Sequence, residues 1–111
     1  MNLREARIKF TFLFATKLIP KAIELGFEPV FDEITQHARV GHMAESLHYE
    51  GCAGDLILYK KGNWLKKTED YQELGEYWES LNSDCKWGGK FTKLDGGHFS
   101  FAPVELFGGR K

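Results

Sequence analysis

The sequence has no long hydrophobic run and no excess of charge of either sign. Its most apolar stretch, residues 10–16, lies between Lys9 and Lys17, whereas a helix that crosses a bilayer needs about 20 apolar residues. Fifteen Lys and Arg against sixteen Asp and Glu leave a net charge of −1, which gives no general attraction to nucleic acid or to anionic membranes. We therefore expect no membrane insertion and no nucleic-acid partner.

An export signal and a disulfide framework are also missing. The apolar stretch follows Arg4 and Arg7 as the core of a signal peptide would, but it is short, and Lys17 stands where a small-residue cleavage site should begin. The two cysteines, Cys52 and Cys85, allow one disulfide at most. Without an export signal, we expect both to be free thiols.

The sequence shows neither a phosphate-binding loop nor a second domain. No Gly-x-x-x-x-Gly-Lys motif is present, so phosphoryl and nucleotide chemistry have no support. The chain contains no internal repeat or linker, and 111 residues are the length of one small domain. A hydrophobic content of 42% is ordinary for a folded globular protein. We predict a single domain over residues 1–111.

Helical periodicity is clearest in two segments. Near the N-terminus, apolar residues recur at helical spacing through Ile8, Phe12, Ala15, Ile19 and Ala22. Gly26 is a natural end for this helix, and Pro20 predicts either a kink or two shorter helices. A second helix is predicted from Asp70 to about Asn82, with an apolar face through Leu74, Trp78 and Leu81.

Strand patterns lie between and after these helices. Residues 27–31 and 98–101 each predict a short strand, and residues 56–59 and 64–65 predict a β-hairpin with Gly62 and Asn63 at its turn. Strands interrupted by helices in so short a chain predict an α+β fold, with a small antiparallel sheet packed with helices.

Imidazole and carboxylate groups occur together in two places. His48 and Asp55 are seven positions apart, a spacing that sends the two side chains to opposite faces of a straight strand. They can converge only if the chain bends near Gly51 or Gly54, with Asp55 opening the strand that follows. Glycines at these positions permit such a bend.

The second pair, Asp95 and His98, is three positions apart around Gly96 and Gly97, which allow a turn that brings both side chains to one cleft. Two imidazoles and one carboxylate form a common catalytic zinc shell with one position left open. A further carboxylate that does not bind the metal can act as general base. The spacing equally allows an interpretation without a metal. In that case His48 is a surface or hydrogen-bonded histidine, Asp55 caps a turn and Asp95 belongs to a loop.

These residues carry a resemblance to a known family. The pattern Ser46-x-His48-x-x-Gly51-x-Ala53-x-Asp55, followed by an Asp-x-x-His-Phe motif at residues 95–99, resembles the M15 family of zinc peptidases. That family includes VanY-type D-alanyl-D-alanine carboxypeptidases and phage L-alanyl-D-glutamate endolysins. Residues 68–71, 74–78 and 87–91 are similar to the compact phage branch, and the resemblance spans about residues 10–101.

The resemblance implies a fold, a metal site and a substrate class. His48, Asp55 and His98 match the three ligands of one Zn²⁺ ion, and Asp95 matches the acidic residue that activates the attacking water. The fold would be the one shared by D-Ala-D-Ala peptidases and the Hedgehog signalling domain. The substrate would be the stem peptide of peptidoglycan. Separately from the resemblance, we expect the protein to be a monomer.

The residues that bind substrate match the family less well. Family members usually carry an Arg ahead of the Ser-x-His motif to hold a substrate carboxylate or the developing oxyanion, and Gln36 takes that place here. Arg39 is the nearby substitute. The other candidate substrate contacts are Ser46, the first residue of the Ser-x-His motif, and Trp87, which flanks the Asp-x-x-His-Phe motif.

The resemblance therefore predicts a zinc metallopeptidase, specifically a phage-type L-alanyl-D-glutamate endopeptidase. The alternatives are a D-alanyl-D-alanine carboxypeptidase and a non-catalytic zinc-binding domain for cell-wall peptides. Without a signal peptide, we expect the protein to accumulate in the cytoplasm, the host cytoplasm if it is phage-encoded, and to reach the wall only after release.

Overall fold

The computed structural model describes residues 1–32 and 46–111. Its helices are α1 (Leu3–Leu13), α2 (Ile19–Glu24), α3 (Gln72–Leu81) and α4 (Val104–Phe107). Its strands are β1 (Glu28–Phe31), β2 (Ala53–Lys60), β3 (Asn63–Leu65), β4 (Cys85–Trp87) and β5 (His98–Phe101). The predicted α+β class is confirmed, and in the described part of the chain no helix is long and apolar enough to cross a bilayer.

The N-terminal helical region is interrupted as Pro20 predicted. Asn2 and Glu5 cap α1 reciprocally, each side chain accepting the other's backbone N–H at 2.8 Å. Residues Phe14–Leu18 then form one π-helical turn, and α2 restarts with Pro20 as its second residue. Proline has no N–H to donate to the preceding turn, and the π-helical turn before Pro20 accommodates this gap in a continuous helical backbone.

The predicted apolar stripe of this region was wrong in its register. Ile8 and Phe12 are exposed, and the buried face runs instead through Ala6, Phe10, Phe14, Leu18 and Ala22. Apolar residues lie on more than one side of this helix, so spacing alone does not select a face. The aromatic face is the buried one because Phe10 and Phe14 pack edge-on against Trp78 of α3.

The sheet is antiparallel throughout, in the order β1-β2-β5-β4, and β3 pairs with β2. The β2–β3 hairpin turns at Lys61 and Gly62, which both have positive φ (51° and 80°), while Asn63 already pairs with Lys60. The predicted Gly62–Asn63 turn was therefore one residue late. Two consecutive positive φ values give the turn twist that matches the twist of the strands.

The central strand β2 separates the core from the open face of the sheet. Leu56 and Leu58 are buried, whereas the residues that alternate with them, Asp55, Ile57 and Tyr59, are half-buried. Because side chains alternate along a strand, one face of β2 packs on the helices and the other faces a cleft. Asp55 lies on the second face, which places it beside solvent and outside the apolar core.

Candidate metal centre

Asp55 and His98 are brought together by strand pairing. They are direct register partners in the antiparallel β2–β5 ladder, and directly opposite residues project to the same side of a sheet. Their nearest atoms, Asp55 Oδ1 and His98 Nδ1, are 3.4 Å apart. Two residues 43 positions apart in sequence thus lie side by side without any loop adjustment.

His48 reaches the same point from a tight turn. The amide of Gly51 bonds the His48 carbonyl at 3.1 Å, and Gly51 itself has a φ of 74°, which an L side chain rarely adopts. The reversal brings His48 Nε2 to 3.1 Å from Asp55 Oδ1. The predicted bend is thus at Gly51, while Gly54 lies inside β2. Asp55 is the third residue of that strand, not its first.

Asp95 comes to the site on the turn that precedes β5. The amide of His98 donates to the Asp95 carbonyl at 3.1 Å. Gly97 is required there because a Cβ would lie 2.5 Å from the backbone oxygen of Leu56. Asp95 Oδ2 lies 3.9 Å from His98 Nδ1, and its side chain is 53% exposed. The carboxylate therefore stands at the mouth of the site, open to water.

Three of these four residues form a group that can hold a metal ion. One donor atom from each of His48, Asp55 and His98 lies within 4.8 Å of the others. Ligand atoms that each lie 2.0–2.1 Å from a tetrahedral zinc are separated by about 3.4 Å, and the two measured separations from Asp55 Oδ1 are 3.1 and 3.4 Å. The donor set and its spacing fit Zn²⁺. The individual roles of these residues stay predictions.

Burial and charge both favour metal binding over solvation. His48 and His98 are 1% and 4% exposed, and their rings meet edge to face at 5.2 Å between centroids. Burial alone would raise the pKa of Asp55, but hydrogen bonds and charge from the two histidines lower that pKa to about 2. The Asp55 carboxylate is therefore ionised at neutral pH, as a metal ligand must be.

A cleft of about 380 Å³ opens beside Asp55 and Asp95 on the exposed face of the sheet. Trp64 and Lys66 of the hairpin form one wall of it, with the Lys66 ammonium 4.5 Å above the Trp64 ring. Tyr71 also lines the cleft. Its hydroxyl, however, accepts from the Leu58 amide at 3.0 Å and donates to the Leu65 carbonyl at 2.8 Å, so it joins β2 to the end of β3.

The other predicted substrate contacts are placed differently. Gln36 and Arg39 lie outside the described residues. Ser46 Oγ accepts the His48 amide at 3.2 Å and so supports the turn that carries His48. Trp87 is 3% exposed, and its indole donates to the Gly96 carbonyl at 2.8 Å. That bond holds the turn between Asp95 and His98, and direct substrate binding by Trp87 stays untested.

Sequence reasoning missed the cleft wall and one backbone contact. Trp64 is 53% exposed, and its place on a predicted hairpin of alternating residues was the available signal that it faces away from the core. The carbonyl of Lys111 accepts a hydrogen bond from His98 Nε2 at 2.9 Å. Side-chain identity carries no signal for that contact, because a main-chain oxygen makes it.

Comparison with known proteins bears on the same segment. The sequence model of an M15 peptidase family, described as D-alanyl-D-alanine carboxypeptidase, matches residues 40–101, more than half of the 111 residues. The matched region contains His48, Asp55, Asp95 and His98. Among curated proteins, none matches the chain significantly.

Proposed function

We propose, from the premise that this chain belongs to the D-alanyl-D-alanine carboxypeptidase family of M15 peptidases, that it is a zinc-dependent phage-type L-alanyl-D-glutamate endopeptidase acting on peptidoglycan stem peptides. The observation that carries the proposal is the His48–Asp55–His98 group with Asp95 at its edge. Two imidazoles and one carboxylate leave a fourth position open, which structural zinc sites usually close.

The chemistry divides between the ion and the protein. When bound, zinc supplies a Lewis acid that polarises the scissile carbonyl and makes water a stronger acid. His48 Nε2, Asp55 Oδ1 and His98 Nδ1 would hold the ion, since these atoms point at one another. The two buried rings exclude water from two sides, which strengthens the electrostatic interactions inside the site.

Asp95 is the proposed general base. Its carboxylate would accept a proton from the attacking water and return that proton to the amine that leaves when the peptide bond breaks. The position suits this role because Oδ2 lies 3.9 Å from His98 Nδ1, close to the site, yet half of the side chain faces solvent. A carboxylate that served only as a fourth ligand would be expected in direct reach of the other three donors.

The cleft beside Asp55 is the proposed path of the substrate. Stem peptides carry free carboxylates, and Lys66 offers an ammonium on the cleft wall, held over the Trp64 ring. Asp32, Asp55 and Asp95 line the same cleft and would repel a substrate carboxylate, and the Lys66 ammonium is the group on the cleft wall that would offset this repulsion. A charge pair at such an exposed site contributes about 1 kcal/mol.

A second candidate activity is removal of the terminal D-Ala residue, as in a D-alanyl-D-alanine carboxypeptidase. The observation that favours it is the description of the matched family. The two activities require the same metal centre and base. They differ in which bond of the stem peptide lies at the metal, so product identity separates them.

The test is to incubate pure protein with defined muropeptides, with and without a chelator, and to identify products by mass. New L-Ala carboxyl ends that disappear with chelator are expected. Release of free D-Ala would instead assign the carboxypeptidase activity and contradict the endopeptidase activity. Tight zinc binding without any product would instead indicate a non-catalytic zinc-binding domain and overturn both.

A further inference from the structure

Residues 108–111, which we call the C-terminal strap, contact His98 and the turn that carries His48. The Lys111 carbonyl lies 2.9 Å from His98 Nε2 and accepts a longer bond, 3.4 Å, from the hydroxyl of Ser100. Both partners belong to β5, where His98 is 4% exposed and Ser100 is fully buried. Lys111 of the strap thus contacts the strand that carries one predicted ligand.

The bond from His98 to Lys111 determines which ring nitrogen can bind a metal. A carbonyl oxygen can only accept a hydrogen bond, so Nε2 carries the ring proton when it bonds to Lys111. With Nε2 protonated, a bound metal would take the lone pair of Nδ1, and Nδ1 is the atom that faces Asp55 Oδ1. Histidines that bind metals usually donate their other N–H to a carbonyl or carboxylate in this way.

The strap is also attached near the second histidine. Arg110 forms an ion pair with Glu50 at 3.0 Å, with both side chains about two-thirds buried. Glu50 is two residues from His48 in the same turn, and its carbonyl accepts from Arg7 Nε of α1 at 2.7 Å. One short segment therefore links the turn that carries His48 to the strand that carries His98.

Aromatic contacts complete the attachment. The Lys111 ammonium lies 5.2 Å from the centre of the Phe91 ring, and that ring lies 5.3 Å from the ring of His98. The Arg110 guanidinium lies 5.6 Å from the ring of Phe107 in α4. These contacts fix the direction in which the strap crosses β5.

We propose that the C-terminal strap is the outer coordination sphere of the metal centre, with the Lys111 carbonyl holding His98 in its metal-binding tautomer and Arg110 fixing the strap to the His48 turn. The proposal rests on the metal centre of the proposed function but makes no use of the substrate or of the bond that is cut. Lys111 and Arg110 are positioning residues, because they act through the histidines.

The test measures zinc affinity by chelator competition, without substrate. A chain that ends at Gly109 should bind Zn²⁺ about 10–100-fold more weakly, the usual cost of losing an outer-sphere partner. Arg110→Ala should weaken binding in the same direction by a smaller factor. Lys111→Ala keeps the main-chain oxygen that bonds to His98. Its zinc affinity should therefore stay within about twofold of the native value, far from the loss expected when an outer-sphere partner is removed. Lys21→Ala, which removes an exposed ion pair with Glu24 elsewhere, is the control for general effects.

A second measurement reads the tautomer directly. In ¹⁵N spectra of histidine side chains, His98 of the zinc-loaded full chain should be protonated at Nε2, and the zinc-loaded shortened chain should show a mixture of both tautomers. Should the shortened chain fail to fold, Arg110→Ala carries the same test. Unchanged affinity and an unchanged tautomer would overturn the proposal. If His48→Ala also left zinc affinity unchanged, the metal centre itself would be wrong, so the two failures are distinguishable.

Discussion

Asp55 and His98 face each other across β2 and β5 as direct pairing partners, with Oδ1 and Nδ1 3.4 Å apart. A sheet register is set by many hydrogen bonds at once, so this separation is maintained by the whole ladder and not by the two side chains. His48 is added to this rigid pair by a turn. The site therefore combines two residues of a strand ladder with one residue of a hydrogen-bonded turn.

Removal of a predicted ligand should abolish tight metal binding. His48→Ala leaves two donors at the site, and we expect zinc affinity to fall by more than about 100-fold, beyond the usual loss from an outer-sphere change. Competition with a chromophoric chelator measures this loss. Glu24→Gln, at an exposed ion pair on α2, should bind zinc as the native protein does, and equal affinity of both variants would refute the ligand assignment.

Replacement of the general base should separate binding from turnover. Asp95→Asn keeps the shape of the side chain but cannot accept the proton, so kcat should fall about 10²–10⁴-fold, the usual contribution of a positioned base. Zinc affinity should change little, because Asp95 lies outside the three-residue group. Steady-state hydrolysis of a muropeptide and chelator competition measure the two effects. Native turnover in this variant would contradict the assignment.

Lys66 should affect substrate binding more than chemistry. Lys66→Ala removes the ammonium from the cleft wall, and KM should rise about fivefold while kcat is retained, in keeping with a charge pair of about 1 kcal/mol. The matched control is Lys61→Ala, an exposed lysine in the turn of the same hairpin. Equal KM values for the two variants would exclude a role for Lys66. Addition of salt should raise the native KM toward that of Lys66→Ala.

Both thiols should be protected while the protein is folded. Cys52 and Cys85 are buried, and burial raises the pKa of Cys52 from 9.0 to about 11 and that of Cys85 to about 12. At pH 8 a disulfide reagent should therefore react slowly with native protein and rapidly with two thiols in denaturant, because the thiolate is the reactive form. Fast reaction of native protein would contradict this burial.

The same pKa shifts define a pH range for stability. The native state binds the thiol protons more tightly than the unfolded state, whose thiols titrate near 9.0. The contribution of these groups is thus complete below pH 9 and is lost as pH rises toward 11–12. Urea unfolding between pH 8 and 11 should show this loss, and a Cys52→Ala, Cys85→Ala protein should show less of it.

Sequence spacing predicted the elements that carry the site. The strand at residues 98–101 has its predicted bounds, and α3 lies within the predicted segment. The bend lies at Gly51, one of the two glycines at which the His48–Asp55 spacing predicted it. These predictions succeeded because a short alternating strand and a seven-residue separation each allow few backbone paths.

The features that the sequence did not predict depend on tertiary packing and on main-chain contacts. The buried face of α1 was misassigned because apolar residues lie on several sides, and packing of Phe10 and Phe14 on Trp78 decides between them. The hairpin turn was placed one residue late because Gly62 fits either of two adjacent positions. The bond from His98 to the Lys111 carbonyl is a main-chain contact, for which any residue type would serve.

The alternation along β2 has an evolutionary consequence. Leu58 packs into the interior while its neighbour Ile57 is half-buried and lines the cleft, so adjacent codons come under different selection. Under the proposed function, a change at Ile57 would alter which peptide the cleft accepts and leave the interior packing intact. Such a replacement needs no refolding of the scaffold, so related chains that share this core can diverge in what the cleft binds.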